Sequence, residues 1–141
     1  MTIQQLIERL PLQLLTTQLD VNGSFHDVYT SDLLSAALAK VTEDHVWVTV
    51  QVHQNILGIA SIKQAAAIIL SESLMPDKDL VSKAQEKGII ILLSPYTSFE
   101  TSGMLYNMLK EEKNGNPSIV KINDIGSKVG DRAQIKAIKK Y

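Results

Sequence analysis

The chain contains no cysteine among its 141 residues. That one absence removes disulfides, thiol nucleophiles, iron–sulfur ligation and cysteine-type zinc sites, and it fits a cytoplasmic protein. Aromatic residues make up only 5 % and there is a single tryptophan, so Trp47 is expected in the core before it is expected on a ligand. Long apolar runs are missing as well. AAAIIL at 65–70 and IIILL at 89–93 are far too short to span a bilayer, and the opening MTIQQLIERL has neither the basic start nor the apolar run of a signal peptide. No membrane partner is expected. Gly-x-x-x-x-Gly-Lys-Ser/Thr, Gly-x-Gly-x-x-Gly after the first strand, and Gly-x-Ser-x-Gly are all absent, so phosphate-loop, dinucleotide and serine-hydrolase chemistry have no motif to rest on.

What is present is a soluble-type composition with 45 % hydrophobic residues, enough in one domain of this length to bury a core. The net charge of −1 hides an asymmetry. Residues 1–112 hold 7 basic and 13 acidic side chains, a net of −6, while residues 113–141 hold 7 basic and 2 acidic, a net of +5. The composition changes near EEKNGNPS, residues 111–118, which marks a boundary between a body of residues 1–112 and a basic extension of residues 113–141.

Along the body, TIQQLIER predicts a short helix capped by Thr2. Leu12–Thr16 and Phe25–Tyr29 read as strands, and Ser31 or Asp32 as the cap of a helix over Leu33–Lys40. Val46–Val52 is the next strand, followed by a helix over Ile56–Lys63 capped by Asn55 and a strand over Ala66–Leu70. A helix from near Pro76 to Lys87 ends on Gly88, then come a strand over Ile89–Leu93 and a helix capped by Thr97 or Ser98 that runs to about Lys113. Strands that are apolar throughout, alternating with helices, call for a mostly parallel sheet covered on both faces, hence a three-layer α/β/α sandwich. SIVKI and AQIKAIKK in the extension read as two further short strands.

SDLLS at 31–35, WVTVQVHQNILGIASIKQAAAIIL at 47–70 and MPDKDLVSKAQEKGIIILLSPYTSFETSGMLY at 75–106 resemble, in order and spacing, the DRTGG domain family, in particular its small free-standing members. The resemblance covers residues 1–112. It implies a fold similar to the N-terminal domain of HPr kinase/phosphorylase and a regulatory or sensory role without catalysis. It also implies a partner such as a hydrogenase-associated protein or a sensor kinase. The sequence departs from the family at its naming motif: where Asp-Arg-Thr-Gly-Gly belongs, after the third strand, it reads VHQN, and the Gly-Asp-Arg at 130–132 follows the wrong elements.

In open α/β sheets ligands sit beyond the carboxyl ends of the strands. Ser31 and Asp32, then His53, Gln54 and Asn55, then Ser71, then Thr97 and Ser98 follow successive strands and should line that edge. Helix N–H groups exposed there hold anions, so the expected ligand is a small anionic metabolite or a nucleotide, with His53 and Gln54 facing it and Asn55 acting first as a helix cap. No cofactor is implied. His45 and His53 lie at opposite ends of one strand, roughly 26 Å apart at about 3.3 Å per residue, so they share no metal ion. Met104, Leu105, Met108 and Leu109 make a helical stripe read as core or as the seam of a homodimer. Two other functions remain open: a small enzyme using His53 with Asp32 or Glu72, and a nucleic-acid-binding module using the basic extension.

Overall fold

The computed structural model describes residues 1–114. The chain divides into two compact units, and the division falls after Leu105. The described elements are α1 (Ile3–Arg9), β1 (Gln13–Leu14), β2 (Asp27–Thr30), α2 (Leu34–Lys40), β3 (His45–Thr49), α3 (Asn55–Lys63), β4 (Ala67–Leu70), α4 (Lys78–Lys87), β5 (Ile91–Leu93) and α5 (Ser98–Lys113). The strands expected in the basic extension lie outside the described residues.

The five strands form one sheet in the order β1-β5-β4-β3-β2. β2 to β5 are parallel, and β1 adds an antiparallel edge through Gln13↔Leu93 and Leu14↔Leu92. Four parallel strands that are neighbours both in sequence and in space need three crossovers of the same hand, which put α2, α3 and α4 on the same face. The packing agrees: Ala37 of α2, Ile56, Leu57 and Ala60 of α3, and Leu80 and Ala84 of α4 are buried with Trp47, Ile68, Leu70 and Ile91 of the strands. The strand residues between them, Val46, Val48, Ile69 and Leu92, are equally buried and point to the other face. There Thr30 Oγ1 of β2 meets Ser102 Oγ of α5 at 2.7 Å, so the chain crosses to the second face after β5 and builds the third layer. The mostly parallel α/β/α architecture expected from the sequence is the observed one.

The helix ends follow local chemistry. Thr2 and Gln5 form a reciprocal capping box at α1, and Asp77 caps α4 through the Leu80 N–H. Gly88 ends α4 with φ 73°, a backbone state that favours glycine. Thr97 and Glu100 exchange hydrogen bonds at the start of α5, as the Thr97 reading anticipated. Three expectations need correction. Neither Ser31 nor Asp32 caps α2, whose N-cap is Leu33 without a side-chain bond. β3 ends at Thr49 rather than Val52, because the Val50 N–H turns to the Asp32 carboxylate at 2.8 Å instead of joining a ladder. Asn55 is the first residue inside α3 and not its cap.

Candidate functional site

The carboxyl edge of the sheet is built from four loops tied together in pairs. In the first pair, Asp32 reaches from the β2–α2 loop to the end of β3, where its Oδ1 accepts from Thr49 Oγ1 (2.9 Å) and the Val50 N–H (2.8 Å). Gln51 Nε2 returns a bond to the Asp32 carbonyl at 3.2 Å. The carbonyl of Ser31 receives the indole N–H of buried Trp47 at 2.9 Å, while Ser31 Oγ accepts the Leu33 N–H. These side chains therefore lock the β2–α2 loop onto β3, a long-range role that cap-seeking along the chain does not find.

The second pair sits where the chain changes faces, between the ends of β4 and β5. That is the topological switch point at which open α/β sheets form their crevice. Here the crevice is bridged by its own residues. Ser71 Oγ and Ser98 Oγ lie 2.6 Å apart, the Glu72 N–H donates to the Tyr96 carbonyl (2.7 Å), and the Ser73 N–H donates to the Ser94 carbonyl (3.0 Å). Glu72 Oε2 accepts the Ser98 N–H at 2.9 Å, so a carboxylate already rests on the first turn of α5. Buried Ser94 and Thr101 pair behind it at 2.8 Å. Glu72 and Ser73 hold φ values of 65° and 56°, two successive non-glycine residues in the left-handed region. Such conformations persist only where surrounding contacts enforce them, and they concentrate at working sites. Tyr96 is partly exposed beside this bridge and Phe99 is 86 % exposed.

His53, Gln54 and Asn55 form a third group at the start of α3. The Asn55 N–H donates to His53 Nδ1 at 3.1 Å, so His53 supplies the local acceptor that Asn55 was expected to supply. In the neutral ring the remaining proton is then on Nε2, a donor available to a ligand. Gln54 is bound on both ends by α4: its Nε2 donates to Asp79 Oδ2 (2.6 Å) and its Oε1 accepts from Lys83 Nζ (2.9 Å), with Lys83 and Asp79 paired at 3.3 Å. The Asn55 side chain is exposed and makes no hydrogen bond within the described residues.

The expected site residues thus separate into three clusters: Ser31 with Asp32, Ser71 with Thr97 and Ser98, and His53 with Gln54 and Asn55. No hydrogen bond joins one cluster to another among the described residues. Asp32 and Glu72 direct their carboxylates to Thr49, Val50 and Ser98, and neither is bonded to His53. At the opposite end of β3, His45 Nε2 faces Asp27 at 3.5 Å and its Nδ1 takes the Thr42 N–H at 2.9 Å. Among the described residues no group of three or more acidic or histidine side chains is placed to hold a metal ion, and no helix is long and apolar enough to cross a membrane. Ser73, Asp79 and Lys83 were not among the expected site residues, and Glu72 was expected as a partner of His53 rather than of α5. The Asp79–Lys83 pair is a local i,i+4 pattern on α4, but the bonds of Glu72, of Ser73 and of that pair to Gln54 come from partners more than 20 residues away.

No protein-family model matches the chain, and no curated protein does. Among solved structures the chain is similar to the crystal structure of the CBS and DRTGG domains of the regulatory region of Clostridium perfringens pyrophosphatase, complexed with the activator diadenosine tetraphosphate. The TM-score is 0.57 at 15 % identity, over 74 % of this chain. This chain spans 45 % of the length of that one. The likeness shows a related fold.

Proposed function

We propose that the protein is a DRTGG-type regulatory module that binds a small anionic metabolite or nucleotide at the carboxyl edge of its sheet and passes its state to a partner, without catalysing a reaction. The observation that carries this reading is the bridged switch point. A carboxylate resting on the first turn of α5 occupies a place suited to a ligand anion, and the segment that carries it, Glu72–Ser73, is held in a strained conformation. An incoming phosphate and the Glu72 carboxylate repel each other at that spot, so binding displaces Glu72 and frees the β4–α4 loop. Ser71, Thr97 and Ser98 then face the anion. Ser31, Asp32, His53, Gln54 and Asn55 line the remainder of the edge. The structurally similar regulatory region was solved with a nucleotide activator, which supports the same ligand class. A hydrogenase-associated protein or a sensor kinase as partner, a homodimeric assembly and a cytoplasmic location belong to the same proposal.

The test is a thermal-shift screen of nucleotides and phosphorylated metabolites on the full chain and on Glu72→Gln. A ligand at a hundred times its Kd adds about 2.7 kcal/mol of stability and raises Tm measurably. The expected result is a hit that binds Glu72→Gln more tightly than wild type, because the competing charge is gone. If no compound in these classes moves Tm, or if hits ignore Glu72, the reading is wrong.

A further inference from the structure

A groove of about 550 Å³ runs over the outer surface of the helical layer and reaches the start of α3 at Gln54 and Asn55. Its floor is α3 at Gly58, where a Cβ would meet nothing within 4 Å. Leu34 and Leu38 of α2 form one wall, Lys83 and Lys87 of α4 the other, and Ile62 of α3 lies along it with 73 % of its surface exposed. An exposed isoleucine, an exposed Leu38 and a side-chain-free floor on a helix are costly to keep in water and usually mark a contact surface.

The charge of this layer says what fits. Residues 1–112 are net −6, yet α2, α3 and α4 together carry five lysines. Against them stand Asp79 and Glu86, both on α4, and neither α2 nor α3 contains an acidic residue. Lys83 is paired with Asp79, whereas Lys63 and Lys87 have no ion-pair partner among the described residues. The groove therefore combines an apolar floor and wall with a cationic wall. A second copy presents the same positive layer and is repelled. Between two side-chain walls a helix fits the groove better than a flat lipid surface does.

We propose that this groove is a docking site for an amphipathic helix of a partner protein, with an aliphatic stripe that packs over Gly58 against Leu34, Leu38 and Ile62 and acidic side chains along the flank facing Lys83 and Lys87. Helix-in-groove recognition reads such stripes through anchors three and four residues apart, and complementary charge sets the orientation. The site meets the proposed ligand edge only at Gln54 and Asn55, and its apolar floor and wall do not depend on a metabolite being bound.

The probe is a fluorescein-labelled peptide of about 15 residues with leucines at i, i+3 and i+7 and glutamates on one flank, titrated by anisotropy against the full chain. Saturable binding that weakens with salt is expected, with about a tenfold or greater loss in Ile62→Asp and in Gly58→Gln. A lysine-flanked version should bind only the Lys83→Glu/Lys87→Glu double variant. Ile62 and Gly58 are exposed, so Ile62→Asp should keep close to the wild-type Tm and Gly58→Gln should match or exceed it; if Gly58→Gln does not fold, Ile62→Asp decides. No binding at about 1 mM peptide, or binding indifferent to Ile62→Asp, overturns the proposal. So does sedimentation with phosphatidylserine vesicles that Ile62→Asp abolishes while the peptide fails to bind, which would make the face a lipid surface. A concentration-dependent dimer lost in Ile62→Asp would assign it to a second copy instead.

Discussion

Removing the His53 imidazole takes away the acceptor of the Asn55 N–H at the entry to α3, where Gln54 offers no capping bond. An uncapped helix N–H typically costs about 0.5–1.5 kcal/mol. His53→Ala should therefore lower stability by that amount in urea unfolding. His53→Asn should retain most of it, since asparagine accepts from the N–H two residues on. Asn55→Ala should leave stability nearly unchanged, because the Asn55 side chain makes no hydrogen bond within the described residues, and any ligand contact it makes would show as weaker binding. The opposite order, with Asn55→Ala destabilising and His53→Ala silent, would return the cap to Asn55. The residue types after β3 were legible as polar edge chemistry. Which of them serves the backbone was not, because an imidazole and an amide can both accept an N–H and only the turn geometry chooses between them.

At the scale of elements, α3 contains a glycine and α4 ends on one, and each substitution has a definite sign. Gly58 is at an exposed position inside α3, with φ in the ordinary range and open space at its Cβ position. Gly58→Ala should stabilise by roughly 0.5–1 kcal/mol, since alanine loses less backbone entropy on entering a helix. Gly88 has φ 73° at the end of α4, and its N–H donates back into the helix. Gly88→Ala should destabilise by about 1 kcal/mol through left-handed strain. Chemical denaturation of both variants checks the pair. Gly88 was readable as a helix stop because GIIILL begins an apolar strand directly after it. Helix types and order were readable for the same kind of reason, as in NILGIASIK and KDLVSKAQEK. Strand ends were not: β3 stops at Thr49 because Asp32, 18 residues earlier than Val50, takes the next N–H.

For the whole molecule, the described sheet is covered on both faces and leaves no buried side-chain polar atom without a hydrogen-bond partner among the described residues. Such a body should be a cooperative unit. We propose, as the charge asymmetry suggests, that residues 115–141 are dispensable for its folding. A chain ending after Asn114 should unfold in one transition, with fluorescence of Trp47 and far-ultraviolet circular dichroism reporting the same midpoint. A molten product, with broad and non-coincident transitions, would make the extension part of the core.

Legible in the amino-acid sequence are the alternation of helices and apolar strands, the parallel covered sheet, the helix ends at Thr2, Thr97 and Gly88, and the polar character of the carboxyl edge. Each of these is written in short-range pattern: a periodicity, a cap residue, a glycine after a helix. Only the closed fold puts α2, α3 and α4 on one face and the first turns of α5 on the other, which places the switch point between β4 and β5. It also decided that Glu72 rests on α5, that Asp32 ties β2 to β3, and that lysines from α4 come to stand opposite leucines from α2. Those contacts join residues 17 to about 50 positions apart, for example Asp32 with Thr49 at a separation of 17 and Glu72 with Ser98 at 26. Side-chain identity states what a group can bond to; only the closed fold brings the partner within reach.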